Sequence, residues 1–80
     1  MKVHVRLYAG LQRHTPEDKE PGNFFQVEFD GETVLDLLTR LSLRPAQVQI
    51  VMVNGENVLD HDLVLKDEDI VVMFPPIGAD

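Results

Sequence analysis

A chain of 80 residues has room for one core, which must be mainly aliphatic, because 44% of the residues are hydrophobic but only 6% are aromatic. The absence of cysteine excludes disulfides, thiolate metal ligands and a thiol nucleophile. Seven basic residues against fourteen acidic ones give a net charge of −7, which disfavours nucleic acid and anionic lipid as partners and favours a basic protein surface.

The N-terminal part of the chain predicts two strands that pair as a hairpin. Residues 2–8 alternate apolar and polar side chains, which is typical of a half-buried strand. Residues 9–22 contain two prolines and two glycines and predict a loop, with a short helical turn around Leu11. Alternation resumes in residues 23–29, where phenylalanine and valine side chains point inward, so this segment should be the second strand.

The clearest helix signal lies between residues 30 and 45. Apolar side chains recur there at positions 34, 37, 38 and 41, the spacing of one buried helix face. Thr33 is placed to cap the first turn, with Asp36 as its capping-box partner. Pro45 limits the helix downstream, because the residue before a proline avoids helical backbone geometry.

The C-terminal half predicts the remaining strands. Residues 49–53 are apolar on both faces, as in a strand at the centre of a sheet. The dipeptide Asn54-Gly55 strongly favours a hairpin turn, and a short strand near Val58 follows it. After an irregular acidic stretch, residues 70–74 form the last strand.

This order of elements predicts an α+β fold. One helix can cover only one face of a sheet of four or five strands, and the simplest closed arrangement places the first and last strands side by side at the centre. That arrangement is the β-grasp, or ubiquitin-like, fold: a mixed sheet of four to five strands with one main helix on one face. We expect residues 1–75 to form this domain and residues 76–80 to form an exposed C-terminal tail.

No residue pattern predicts an active site, a metal site or a bound cofactor. His4, His14 and His61 lie in a strand, a loop and a turn, so a metal site would require three distant segments to converge. The carboxylates cluster beside lysines in exposed turns, and the sequence contains no phosphate-binding glycine loop and no nucleophile elbow. We therefore predict that the protein is not an enzyme.

Targeting and membrane signals are also missing from the sequence. No apolar run approaches the roughly 18–20 residues that cross a bilayer. The first residues do not have the charged and then apolar pattern of a secretory leader. We expect a cytoplasmic protein without a membrane partner.

The chain ends in Phe-Pro-Pro-Ile-Gly-Ala-Asp, residues 74–80. Two consecutive prolines end a strand, because proline donates no backbone hydrogen bond, and they favour extended polyproline II geometry. Together with Val53-Asn54-Gly55, Leu65-Lys66-Asp67-Glu68-Asp69 and the segments RLYAGL and TVLDLL, this ending resembles the MoaD/ThiS family of ubiquitin-like sulfur carriers. The order and spacing of these segments extend the resemblance over nearly the whole chain.

The resemblance implies that the C-terminal carboxylate is the reactive group. An ATP-dependent, E1-like activating enzyme would adenylate this carboxylate, and sulfur would then replace an oxygen to give a thiocarboxylate. The acceptor would be the large subunit of molybdopterin synthase or a similar enzyme, for molybdopterin-type cofactor or thiamin biosynthesis, with RLYAGL and Phe-Pro-Pro favouring the molybdopterin branch. The implied sulfur-carrying tail is Gly78, Ala79 and Asp80.

The last two residues depart from the family pattern, which ends in two glycines. Ala79 and Asp80 stand in their place, although a narrow active site favours backbone without side-chain bulk. Three hypotheses follow. A protease removes Ala79-Asp80 and leaves Gly78 as the working terminus, the partner enzyme accepts the altered end, or the protein has lost carrier chemistry and is a non-catalytic interaction module or accessory subunit.

The sheet face without a helix is the predicted docking surface, because apolar side chains on an open face require a partner. In the family, this face and the tail meet the activating and acceptor enzymes. Extra core packing and a homodimer seam are the alternative explanations for these apolar side chains. The candidate partner-binding residues are Val51, Val53, Met73, Phe74, Pro75, Pro76 and Ile77.

Overall fold

The computed structural model describes residues 1–77 of the chain. The strands are β1 (Lys2–Leu7), β2 (Phe25–Glu28), β3 (Ile50–Val53), β4 (Glu56–Val58) and β5 (Ile70–Phe74). The helix is α1 (Val34–Arg40), and short 3₁₀ helices span Ala9–His14 and Pro45–Gln47.

The strands form a single mixed sheet in the order β2-β1-β5-β3-β4. The first and last strands, β1 and β5, lie side by side and run parallel, whereas the other neighbouring pairs are antiparallel. This arrangement confirms the predicted β-grasp fold. Backbone hydrogen bonds join β1 to β5 and to the residue before it across more than sixty positions of sequence, as between the amide of His4 and the carbonyl of Asp69 at 2.9 Å.

The core lies between α1 and one face of the sheet. Val3, Val5 and Leu7 of β1 are completely buried, as the alternation in residues 2–8 predicts. The apolar face of the helix packs onto them through equally buried side chains, among them Leu37 and Leu38. Since no charged or polar residue among residues 1–77 is buried, apolar packing is the main stabilising interaction in this core.

The predicted capping box is present at the start of α1. The Thr33 hydroxyl accepts a hydrogen bond from the Asp36 amide at 3.2 Å, and the Asp36 carboxylate accepts one from the Thr33 amide at 3.1 Å. Hydrogen bonds from the backbone amides of Glu32 and Thr33 lower the pKa of the Asp36 carboxyl. The box satisfies amides that have no partner within the helix and so defines where α1 begins.

The turn between β3 and β4 also follows the local sequence. Asn54 and Gly55 both have positive φ angles, 51° and 85°, the geometry of a type I′ hairpin turn. The turn places β4 at one edge of the sheet, antiparallel to β3.

Candidate functional site

The face of the sheet opposite α1 carries a row of apolar side chains at its centre. Register places Met52 beside Val72 and Ile50 beside Phe74 on this open face. Ile50 is 39% exposed, and Met52, Val72 and Phe74 are partly exposed. These residues, with Ile70 at 45% exposure, form the apolar part of the open face.

The prediction that Val51, Val53 and Met73 lie on the open face is wrong. Val51 is 1% exposed, Val53 9% and Met73 0%, so all three belong to the core. The cause is the register of the sheet, in which Met73 pairs with Leu7 and Val51 pairs with Met73. Residues paired across neighbouring strands share a face, and Leu7 faces the helix.

The end of β5 is held firmly in the sheet. The Phe74 carbonyl accepts a hydrogen bond from the Gln49 amide at 2.8 Å, and the Tyr8 amide donates to the Met73 carbonyl at 3.1 Å. The Tyr8 and Phe74 rings stack with their centroids 4.5 Å apart and an interplanar angle of 15°. Phe74 is therefore fixed by main-chain and side-chain contacts where the chain leaves the sheet.

The chain becomes exposed directly after this point. Pro75 and Pro76 are partly exposed, and Ile77 is fully exposed at 104%. The predicted sulfur-carrying residues Gly78, Ala79 and Asp80 lie outside the described residues. Their role, and that of Phe74 to Ile77 in partner binding, stays a prediction.

A cation lies among aromatic rings beside the exit. The Arg6 guanidinium is 4.9 Å from the centre of the Tyr8 ring and 5.6 Å from that of Phe24. Its Nε donates a hydrogen bond to the Gly22 carbonyl at 2.8 Å, which ties the loop before β2 to the open face. Sequence reasoning missed this cluster, because its signal is one arginine on the polar face of β1, two residues before a tyrosine that follows the strand.

Charged groups border the opposite end of the open face. His4 Nε2 lies 2.6 Å from Glu68 Oε1, and Lys2 Nζ lies 3.2 Å from Glu68 Oε2. The hydrogen bond with His4 and then that with Lys2 lower the pKa of the Glu68 carboxyl. These contacts connect β1 to the turn that precedes β5.

The described part of the chain offers no metal centre and no membrane span. Within residues 1–77, no group of three or more histidine or acidic side chains is arranged to hold a metal ion. No helix in that range has the length and apolar character needed to cross a bilayer.

Comparisons with known proteins agree with this geometry. SAMP1 from Haloferax volcanii matches with a TM-score of 0.70 and 21% identity, covering 100% of both chains. A Pyrococcus furiosus protein assigned as molybdopterin converting factor subunit 1 matches with a TM-score of 0.70 and 27% identity, covering 95% of this chain and 98% of that one. In a complex of subunits 1 and 2 of the molybdopterin-converting factor from Helicobacter pylori, one chain matches with a TM-score of 0.60 and 19% identity, covering 100% of both.

A search of curated proteins found no match. A family model described as the ThiS family matches residues 5–78, which is nearly the whole chain. The chain therefore belongs to the ThiS family, with the ubiquitin-like fold of MoaD- and ThiS-type proteins.

Proposed function

We propose that this protein is a sulfur carrier of the MoaD/ThiS type that serves molybdopterin-type cofactor biosynthesis. The observation that carries the proposal is the family match, which runs through the fixed end of β5 and the two prolines to residue 78. The Pyrococcus and Helicobacter proteins support the molybdopterin branch over thiamin, because both are named as subunits of a molybdopterin-converting factor.

The chemistry acts on the C-terminal carboxylate of the mature chain. A carboxylate oxygen attacks the α-phosphorus of ATP in an E1-like activating enzyme, and pyrophosphate leaves. Hydrosulfide supplied by a sulfur donor then attacks the acyl carbon, the bond from that carbon to the AMP oxygen breaks, and AMP and a proton leave, which gives a thiocarboxylate. The chain contains no cysteine, so the transferred sulfur has no thiol of this protein on which to reside. In this proposal the partner enzymes carry out the chemistry and the protein is the group that they act on.

The fixed end of β5 favours delivery of the C-terminal carboxylate to the active site of a partner enzyme. Hydrogen bonds at Met73 and Phe74 and the stacked Tyr8 ring hold the last residue of β5, and Pro75 and Pro76 restrict the backbone that follows. A tail whose direction is already restricted loses less conformational entropy when it enters a narrow active site. We propose that this geometry presents the exposed Ile77 to a partner enzyme.

The open face is the docking surface in this proposal. Ile50, Met52, Ile70, Val72 and Phe74 would contact the activating enzyme and then an acceptor such as the large subunit of molybdopterin synthase. The Helicobacter complex supports a large-subunit partner, because it joins subunit 1 to subunit 2. The charge of −7 favours partners with basic residues around the contact.

A second function is favoured by the match to SAMP1, which is named as a small archaeal modifier protein. In that case the activated carboxylate would be joined to an amino group of another protein. A third possibility is that the departure at Ala79 and Asp80 leaves only docking, as a non-catalytic interaction module.

Mass spectrometry separates these functions. The full chain is incubated with the activating enzyme of its own host, ATP and a sulfur donor, and the C-terminal peptide is analysed. We expect one oxygen of the terminal carboxylate to be exchanged for sulfur, and deletion of residues 78–80 to abolish the exchange. Protein recovered from the host shows in addition whether Ala79-Asp80 has been removed.

Two results contradict the carrier function. One is an unmodified, full-length terminus under all growth conditions, which favours the interaction module. The other is full complementation of cofactor synthesis by the chain that lacks residues 78–80. Attachment of the chain to lysines of other proteins, without sulfur exchange, supports the modifier instead.

As a docking control, we expect Met52→Glu on the open face to prevent the exchange and Leu35→Glu, at a 38% exposed position on α1, to leave it unchanged.

A further inference from the structure

A second apolar surface lies at the β4 edge of the sheet, separated from β5 by β3. A groove of about 650 Å³ runs there between β4 and residues 59–64. Its apolar lining is Val53, Val58, Leu59, Leu63 and Val64. Leu59 is 91% exposed, Leu63 41% and Val64 61%, so these aliphatic side chains face water together. We call this surface the β4 groove; such a cluster on a small domain is typical of a contact site.

Backbone hydrogen bonds to the start of α1 hold these side chains in their exposed positions. The amides of Val34 and Leu35, at the start of α1, donate hydrogen bonds to the carbonyls of Leu63 and His61 at 3.1 and 2.9 Å. An isolated bridge pairs Val64 with Thr33. These bonds satisfy helix amides that lack an intrahelical acceptor, so they are costly to break. The wall of the β4 groove is therefore held in place with its apolar side chains outward.

The surface around the β4 groove is acidic, which disfavours acidic partners. Glu56, Asp60 and Asp69 line it, with Lys66 as the basic residue of the lining. Over residues 56–69 six carboxylates accompany this lysine: Glu56, Asp60, Asp62, Asp67, Glu68 and Asp69. A second copy of the chain would bring another −7 to an already acidic surface, whereas lysine and arginine side chains are attracted to it.

The backbone of β4 adds a preference for an extended partner. β4 is at the edge of the sheet, so within residues 1–77 its outer side has no neighbouring strand. Amides and carbonyls on such an edge accept an added strand from another protein. Alternate side chains of an added strand point to opposite sides, so apolar residues can enter the groove while basic residues reach its acidic rim.

We propose that the β4 groove binds an extended segment of a partner protein in which apolar residues alternate with lysine or arginine. The site shares no apolar residue with the open face and does not include the chain exit. A partner held in the β4 groove therefore leaves the open face and the chain exit up to Ile77 accessible. The proposal goes beyond sulfur transfer and does not require it.

The test is a titration of the full chain followed by amide chemical shifts. The probe is a short peptide of alternating lysine and valine, and the control peptide has glutamate in place of lysine. We expect saturable shifts confined to β4 and residues 59–66 with the lysine peptide, weakened by added salt because the attraction is partly electrostatic. We expect no saturable shifts with the glutamate peptide.

Paired variants locate the binding site. Leu59→Ser combined with Val64→Ser should weaken binding of the lysine peptide at least about tenfold, since two apolar contacts are lost. Ile70→Ser, at a 45% exposed position on the open face, should leave it unchanged. Both substituted positions in the groove are exposed, and retained shift dispersion checks that the variant is folded. The double variant should also form thiocarboxylate at the normal rate, so this test and that of the carrier function fail separately.

Four results overturn the proposal: no saturable binding, equal binding of the glutamate peptide, shifts centred on the open face, or an unchanged affinity in the double variant. Shifts that depend on protein concentration without peptide, and that the double variant abolishes, assign the β4 groove to a second copy of the chain and also overturn it.

Discussion

Met73 and Met52 provide a matched test of which sheet face is core and which is the docking surface. Both are methionines in paired strands, but Met73 is 0% exposed beneath the helix and Met52 is partly exposed on the open face. Truncation of a buried methionine to alanine removes its contacts and leaves a cavity, at a typical cost of about 2–5 kcal/mol. We expect Met73→Ala to lie in this range, because no part of the side chain is in water.

The cost is large for a domain of this size. Small domains are stable by only about 5–15 kcal/mol, and a loss of 1 kcal/mol lowers their melting temperature by roughly 4–8 °C. Met52→Ala should cost less than about 1 kcal/mol, because its side chain is already partly hydrated and leaves no closed cavity. The same substitution should weaken binding of the activating enzyme, since it removes an apolar contact from the proposed docking surface.

Urea unfolding followed by circular dichroism measures the two free energies. An unchanged dependence on urea concentration shows that the variants unfold from the same compact state. Binding of the activating enzyme is measured in parallel on both variants at a temperature where each is folded. If Met52→Ala destabilises the protein as much as Met73→Ala does, or if only Met73→Ala weakens docking, the assignment of the two faces is wrong.

The capping box and the charged end of the open face give two further predictions. Thr33→Ala should lower the free energy of unfolding by about 1 kcal/mol, measured by the same urea titration, because the cap accepts a hydrogen bond that no other group replaces; no change would mean that the box does not stabilise α1. The contacts of Glu68 with His4 and Lys2 lower the pKa of the Glu68 carboxyl in the folded protein. These contacts therefore stabilise the fold fully at pH values above the pKa that Glu68 has in the unfolded chain, and the stabilisation is lost as the pH falls through the pKa that Glu68 has in the folded protein. Glu68→Gln should therefore flatten the fall of stability at acid pH, and an identical pH profile for the two proteins would contradict this.

The features that the sequence predicted correctly depend on neighbours within a few positions. Alternation in residues 2–8 identifies both a strand and its buried face, because polar and apolar side chains separate cleanly there. Thr33 with Asp36 predicts the start of α1, and Asn54-Gly55 predicts the hairpin turn. The element order then leaves few ways to cover one sheet with one helix, which is why the β-grasp topology followed.

The placement of side chains in the central strands depended on tertiary structure alone. β3 and β5 are apolar at every position, so alternation carries no information about which residues face the helix. The pairing of Leu7 with Met73 across distant parts of the chain decides it, and the proposed docking surface moves by one residue, to Met52 and Val72.

The sequence also did not predict the contact of Arg6 with the aromatic rings or the β4 groove, because each joins segments that are far apart in the sequence. Short-range patterns thus determined which elements form, and long-range strand register determined which of their side chains are available to a partner.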